Sequence, residues 1–333
     1  MKFKIDKPVR LIELFAGVGA QAMALRDLGV TFEHYKVVEF DPNPLKSYNA
    51  IHNTNFETQD ITTLDGKDLE IVDLDKFCYI MTYSFPCTSL STAGKQQGMK
   101  KGSNTSSSLL WEVERLLNEI ENKPQVLVME NVRQVLSPKN KEDFEEWKKF
   151  LESKGYKNYV KLISGTDFNV PQMRTRCFMV SILGDYDYVF PNSIELTKCN
   201  IDFLEDNVDK KYYLERTNDK GGRFYEAAFE TFDNNSCTYG DLIDAYNKKV
   251  NTQRIFNTIT TRPESFKTGV VLVTKENKLR KLTPLETWRA MGFSDEDYYK
   301  AEKAMNNKTS LLYKQAGNSI IKPVLMAIFK ELF

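Results

Sequence analysis

From Val9 to Ile182, short apolar runs alternate with segments of helical periodicity. Val9 to Phe15 is apolar except for Arg10 and Glu13, the mark of a strand buried on both faces. Gln21 to Leu28 has helical spacing and ends near Gly29. Tyr35 to Phe40 is a second strand, closed by Asp41-Pro42, and Leu45 to His52 a second helix. The same reading gives strands over Phe77–Tyr83, Val126–Met129 and Arg176–Ile182. It gives helices over Leu109–Glu121, strongly amphipathic, and Phe144–Ser153. Strands alternating with helices are βαβ units, so the expected fold is α/β: a doubly wound, mostly parallel, Rossmann-like sheet with helices on both faces.

The pattern changes near residue 190. From there to about residue 279 periodicity is weak, with Asn-Asn, Gly-Gly and aromatic clusters but no βαβ rhythm. Helical signal returns at Pro284–Met291 and again at Val324–Leu332. The expected organisation is one domain from residues 1–190 and 300–333, with a smaller irregular domain, 191–299, inserted in it.

A chain of 333 residues has room for about two domains and a core that needs no disulfide staples. With 41% apolar, 28% charged and 12% aromatic residues it is neither a disordered tail nor a fibre. Five cysteines (78, 87, 177, 199 and 237), an odd number with no CxxC pair, read as reduced thiols of a cytoplasmic protein. Glu13 interrupts the N-terminal apolar stretch, unlike a signal peptide, and no run of about 20 apolar residues suggests a membrane span. The 46 basic and 46 acidic residues balance, but not locally. Ser84 to Trp111 holds Lys95, Lys100 and Lys101 and no acid; Ala245 to Lys281 holds nine basic residues and two acidic ones. A concentrated basic face suits a phosphate-backbone binder, though a solvated lysine-rich surface has the same composition.

The first strand runs into Phe15-Ala16-Gly17-Val18-Gly19 before a helix, and Glu39 ends the second strand about 20 residues on. Glycines there permit a tight turn and close approach of a ligand, and the acid can hold ribose hydroxyls, so the pair indicates a nucleoside-containing cofactor. The third glycine of the dinucleotide fingerprint is missing, since Ala22 stands there, which weighs against a nicotinamide oxidoreductase. Ser84-Phe85-Pro86-Cys87-Thr88-Ser89 follows another strand, where a cysteine faces the ligand crevice of a doubly wound sheet. A single cysteine taken alone is more often buried and inert. The stretch that follows, with Gly94, Gly98, Gly102 and Ser103 to Ser108, reads as a mobile loop or lid. Glu130-Asn131-Val132 ends the next buried strand, and Gln172-x-Arg174-x-Arg176 leads into another. A thiol, a carboxyl and two guanidiniums on one sheet edge suit covalent attack on a planar, hydrogen-bonding ring. The two histidines, His34 and His52, lie in none of these segments, so a Cys-His protease or histidine metal site is not expected.

This ordered set resembles the DNA cytosine-5 methyltransferase family in its bacterial restriction-modification form. The resemblance covers nearly the whole chain. Its pieces are Phe-Ala-Gly-x-Gly at 15–19, Glu39, Gln-Asp-Ile at 59–61, Pro-Cys at 86–87, Glu-Asn-Val at 130–132 and Gln-x-Arg-x-Arg at 172–176. Arg-x-Leu-Thr-x-x-Glu-x-x-Arg-x-x-Gly-Phe at 280–293 and Gln-Ala-Gly-Asn-Ser at 315–319 complete it. Ala20, Thr88 and Ile320 depart from the family's usual glycine, glutamine and valine, and none of the three removes a chemical group.

The resemblance implies an AdoMet-dependent methyltransferase fold with a target-recognition domain, and a set of roles. Cys87 would attack C6 of a flipped-out cytosine, Glu130 would hold N3, Arg176 would contact O2, and Arg174 would stand near the catalytic loop. Phe15, Ala16, Gly17, Gly19, Glu39, Phe40, Asp60, Ile61, Pro86, Asn318 and Ile320 would line the site of S-adenosyl-L-methionine, whose product is S-adenosyl-L-homocysteine; no metal is implied. Ser91, Lys95, Lys100, Lys101, Arg254, Arg262 and Lys267 would contact double-stranded DNA. The implied protein is a cytoplasmic monomer, and a cognate restriction endonuclease would act separately from it. Two rivals remain at this point: a tRNA cytosine-5 methyltransferase of the same superfamily, and a non-catalytic DNA-binding module.

Overall fold

A computed structural model describes the chain except residues 92–95, 217–221 and 264. Contacts divide it into two compact units, Met1–Ile163 with Thr175–Ser193 and Val324–Phe333, and Ser164–Arg174 with Ile194–Pro323. Residues 300–323, grouped with the first domain by the sequence pattern, fall in the second unit.

The first unit is built on six strands: β1 (Val9–Leu14), β2 (Phe32–Val38), β3 (Cys78–Tyr83), β4 (Val126–Val132), β5 (Tyr156–Ser164) and, after the two-residue β6 (Gln172–Met173) of the second unit, β7 (Thr175–Leu183). Their spatial order is β2-β1-β3-β4-β7-β5. β1 pairs in parallel with β2 and β3, and β3 with β4. β4 and β7 run antiparallel. Every residue of β3 and β4 is buried, which explains why the central strands read as continuous apolar runs. β5 has no such run, because Tyr156-Lys157-Asn158-Tyr159-Val160-Lys161 is largely solvated at the sheet edge.

The helices α1 (Ala20–Asp27), α2 (Pro42–His52), α3 (Leu110–Glu119) and α4 (Lys141–Ser153) follow β1 to β4 respectively. Asp41 caps α2 by accepting from the Asn43 amide at 3.0 Å, with Pro42 in the first turn. Leu110, Val113, Leu116, Leu117, Phe144, Trp147 and Leu151 of α3 and α4 join Ile12, Tyr79, Met81, Leu127 and Met129 of the sheet in one core. The chain goes from β1 outward to β2 and then crosses back to β3, so the order reverses between β1 and β3. In doubly wound sheets ligands bind at the carboxyl ends of the strands at this reversal.

The second unit contains a four-stranded antiparallel sheet ordered β12-β11-β8-β9, from β8 (Leu242–Asp244), β9 (Lys249–Asn251), β11 (Val271–Val273) and β12 (Leu279–Arg280). α5 (Gly222–Asp233) packs on it through Phe224 and Ala228, against Ile243, Val271 and Val273. β10 (Phe256–Asn257) pairs in parallel with β6. α6 (Pro284–Arg289), α7 (Asp295–Ala304) and α8 (Thr309–Asn318) follow, and α9 (Lys322–Lys330) leads back to the first unit. Strands of two or three residues are too short to display a two-residue period, so this sheet was not visible in the sequence.

Candidate active site

One row of aligned residues crosses the main sheet: Val38, Leu14, Tyr83, Met129 and Met179 pair in register from β2 to β7. The residues that follow on the four parallel strands are Glu39, Phe15, Ser84 and Glu130. The site is therefore a consequence of register: four separate sequence segments emerge at one level of one sheet edge.

On the β1 side the turn is tightly specified. Phe15, Gly17 and Gly19 all have positive φ, at 59°, 58° and 80°. A side chain at Gly19 would strike Tyr48 and His52 at less than 3.0 Å, so only glycine fits there. Gly17 meets nothing within 4 Å and leaves open space before the loop. A phenylalanine in the left-handed region costs roughly 1–3 kcal/mol, which the flanking structure must over-determine. Glu39 accepts from the Gly17 amide at 2.9 Å through Oε2 and from the Asp41 amide at 2.8 Å through Oε1. Burial pushes its carboxyl above the ordinary range, while the amides of Asp41 and Gly17 pull it back.

Phe40 follows and is 72% exposed. The Gln59 amide donates to Glu39 O at 3.0 Å, and Asp60 accepts from the Thr62 amide and hydroxyl at 2.9 and 2.8 Å, presenting the buried Ile61. An exposed ring, a carboxylate with spare lone pairs and a glycine open to solvent fit a purine nucleoside with ribose hydroxyls. The residues present thus suit S-adenosyl-L-methionine.

On the β3 side, Cys87 is half-buried in the loop after the strand. Its carbonyl accepts from the amides of Leu90 and Ser91 at 2.9 and 2.8 Å. Cys78 and Cys177 are buried, which pushes both thiols up to about 12, and the Glu130 charge adds to the effect at Cys177. Both are therefore held as thiols at neutral pH, whereas a nucleophile must be able to form thiolate. Glu130 Oε1 lies 3.3 Å from Arg176 Nε, in a pair 11% and 16% exposed. Lys100 and Lys101 are exposed, Lys101 being paired with Glu114 and lying over the Trp111 ring. Lys95 lies outside the described residues. Of the stretch read as a lid, Gly94 is also outside them, while Gly98 and Ser106 to Ser108 are tied down by hydrogen bonds.

The predicted residues not described above belong, apart from Ala16 of the glycine turn and Pro86 of the Cys87 loop, to the second unit. Arg174 is buried, and its guanidinium donates to the carbonyls of Ile259, Gly317 and Ser319 at 2.9, 2.9 and 2.6 Å. It thereby fixes the backbone on both sides of the exposed Asn318, next to the buried Ile320. Arg254, Arg262 and Lys267 are exposed. The basic face is less charged than its composition: Arg280 is buried in a two-pronged pair with Glu286 at 2.6 and 2.7 Å, and Lys248 is paired with Glu230. Both acids lie outside the window in which the charge was counted.

Several residues with evident work to do carried no assignment from sequence. Asn131 Nδ2 donates to Phe85 O at 2.9 Å, and Ser107 Oγ to Pro86 O at 2.6 Å. Behind the glycine turn, buried Glu13 accepts from Tyr48 Oη at 2.6 Å and from the Ala22 amide at 3.3 Å, and His34 Nδ1 lies 2.7 Å from the same tyrosine oxygen. The sequence signals were a lone acid in an apolar run for Glu13, and serines that read as a mobile loop or lid for Ser107.

The family described as C-5 cytosine-specific DNA methylase matches residues 9–333. The chain is 32% identical to the type II methyltransferase M2.ScrFI of Lactococcus lactis subsp. cremoris, over 98% of this chain and 99% of the relative. It is 30% identical to the type II methyltransferase M.Bsp6I of a Bacillus species, covering 98% of each. It is 29% identical to the orphan methyltransferase M.SssI of Spiroplasma monobiae, covering 98% and 97%. Among solved structures, S. pombe Dnmt2 methyltransferase superposes with a TM-score of 0.72 over 98% of each chain at 20% identity, a likeness of fold.

Proposed function

The chain belongs to the C-5 cytosine-specific DNA methylase family and is a DNA cytosine-5 methyltransferase, and from that premise we propose how its own residues carry the reaction. The observation that carries the reading is the register row, which brings Glu39, the loop of Cys87 and Glu130 with Arg176 to one sheet edge.

The target cytosine lies inside a duplex and must be extruded before a thiol can reach it. The Cys87 thiolate adds to C6 and forms an Sγ–C6 bond, while Glu130 holds N3 so that the ring's electron pair becomes available at C5. Arg176, alongside Glu130, offers its guanidinium to O2. S-adenosyl-L-methionine, when bound, supplies the methyl group that C5 takes up, and S-adenosyl-L-homocysteine remains. Loss of the C5 proton to a base then drives the C6–Sγ bond to break, and Cys87 returns as thiolate. Glu39 holds the ribose of the cofactor, with Phe15, Phe40, Asp60, Ile61 and the glycine turn around it. Residues 191–299 recognise the target sequence.

The type II relatives support a role in modification of a restriction-modification system, with any endonuclease acting as a separate protein. A monomer suffices for a reaction on one base. Among the described residues no helix is long and apolar enough to cross a membrane.

Bisulfite sequencing of DNA from a host without cytosine-5 methylation tests this function. Expression of the protein should protect cytosines at one fixed sequence, and Glu130→Gln should abolish that protection. Uniform conversion of every cytosine, despite folded protein in the cells, would overturn it.

A further inference from the structure

The loop of the nucleophile is gripped by hydroxyl groups that the reaction described above does not use. Three consecutive carbonyls through the cysteine are occupied: Phe85 O by Asn131, Pro86 O by Ser107, and Cys87 O by the amides of Leu90 and Ser91. Beyond the cysteine, Ser106 Oγ lies 2.5 Å from Thr88 Oγ1 and 3.0 Å from Ser89 Oγ. Two adjacent serines thus hold the chain on both sides of Cys87. Ser107 holds the backbone before it, and Ser106 holds the two side chains after it.

These serines ride on a firm support. Ser106–Leu109 is a 3-10 turn capped by Thr105, whose hydroxyl accepts from the Ser108 amide at 3.2 Å and donates to Gly98 O at 3.0 Å. The turn runs directly into α3, which is anchored in the core by Leu110, Val113, Leu116 and Leu117. Ser107 is wholly buried. A buried hydroxyl is costly unless it is bonded, and alanine would fill the same place without that cost. Its hydroxyl donates to the carbonyl of Pro86, the residue before the nucleophile. Misplacing a reacting atom by about 1 Å can cost about 100-fold in rate, so a fixed loop backbone is worth more to catalysis than to folding.

We propose that Ser106 and Ser107 are positioning residues for the nucleophile: through Pro86, Thr88 and Ser89 they fix the orientation of the Cys87 thiol before the base arrives. The proposal rests on Cys87 being the nucleophile, and the test separates the two.

Full-length protein is given DNA from an unmethylated host and labelled S-adenosyl-L-methionine in single-turnover reactions. The variants are Ser106→Ala, Ser107→Ala, Thr88→Val, Thr88→Ser and Cys87→Ser. The three variants that lose a hydroxyl should slow methyl transfer about tenfold, equivalent to about 1.4 kcal/mol. Affinities for S-adenosyl-L-homocysteine and for DNA should stay within about twofold. Thr88→Ser, which keeps the hydroxyl, should recover most of the rate. Wild-type rates in the hydroxyl-lacking variants, with Cys87→Ser inactive, would overturn the positioning role and leave the nucleophile standing. Equal losses of rate and of both affinities would overturn it as well, by marking a general structural role. Activity in Cys87→Ser would instead remove the premise. Should Ser107→Ala fail to fold, the exposed Thr88 pair of variants decides alone.

Discussion

Arg176 reaches Glu130 diagonally across two antiparallel strands. Val132 is directly opposite Arg176, and Phe178 is directly opposite Glu130, yet Arg176 Nε and Glu130 Oε1 are 3.3 Å apart. Diagonal neighbours on one face lie within reach of a long side chain. The antiparallel β7 is what makes this possible, because it carries its first residues to the edge where the parallel strands end.

Glu130→Gln keeps the shape of the side chain but removes its charge and its capacity to hold a proton. Methyl transfer should fall by about 10² to 10⁴-fold, the usual range for a positioned acid or base. Arg176→Lys should not restore the wild-type rate, since an ammonium lacks the planar fork of a guanidinium. Single-turnover rates of the two variants check both statements. Transfer at the wild-type rate in Glu130→Gln would remove Glu130 from the chemistry.

Glu39 is already oriented by the amides of Gly17 and Asp41, so it needs little rearrangement to accept from ribose hydroxyls. Glu39→Ala should weaken cofactor binding by about 1.5–3 kcal/mol, the range for a hydrogen bond to a charged group. Titration calorimetry with S-adenosyl-L-homocysteine measures it, and unchanged affinity would exclude the role.

Glu13 gives a pH dependence with a definite sign. Burial raises its carboxyl to about 7, opposed by the bonds from Tyr48 and Ala22. A carboxyl raised on folding stabilises the fold fully only below its unfolded value, near 4.5, and that contribution is lost as pH rises through about 7. Stability of the wild type relative to Glu13→Gln should therefore fall by about 3 kcal/mol across this window. Urea unfolding of both proteins through the window provides the comparison. A constant difference, or one that grows with pH, would contradict it.

Arg174 donates to three carbonyls from a buried position, so its removal should act through structure. Arg174→Lys cannot reproduce the fork and should destabilise the protein by about 3 kcal/mol or more, counting each lost bond from a charged donor at 1.5–3 kcal/mol with partial rescue. Chemical denaturation should register this loss. Wild-type stability together with a lost methylation rate would instead place the guanidinium in the reaction.

Arg254, Arg262 and Lys267 are exposed, and their chemistry suits two kinds of proposed DNA contact. A lysine on phosphate positions the protein, so Lys267→Ala should weaken binding evenly and flatten the salt slope by about one unit. An arginine that grips guanine in two places is worth about 1–3 kcal/mol of discrimination. Methylome sequencing of Arg254→Ala and Arg262→Ala should then show one relaxed position in the recognised site. An unaltered motif in both would mean that neither reads a base.

The strands and helices of the main sheet were legible because β1, β3 and β4 are apolar runs closed by turn residues. β5 was not, since an edge strand with Lys157 and Lys161 pointing to water has no apolar run to detect. The direction of β7 was invisible for another reason: periodicity reports burial, and it is the same for parallel and antiparallel pairing. Cys87, Glu130 and Arg176 were found because each lies near the end of a strand and within a motif that carries the family resemblance. Arg174 was expected near the catalytic loop, and its three carbonyl partners in the second unit come from segments no local pattern could connect. Ser106 and Ser107 were read as loop residues because a serine run signals loops unless its partners are known. The charge excess around Arg280 failed similarly, since its partner Glu286 stood just outside the counted window.

The proposed reaction depends on a covalent bond between Cys87 and cytosine. DNA synthesised with 5-fluorocytosine in place of every cytosine offers the base at any recognition site and blocks release, because fluorine cannot leave C5 as a proton does. After incubation with S-adenosyl-L-methionine and denaturation, peptide mapping by mass spectrometry should find the nucleotide attached to the peptide that contains Cys87. An adduct on Cys199 or Cys237, or none from protein that methylates ordinary DNA, would contradict the account.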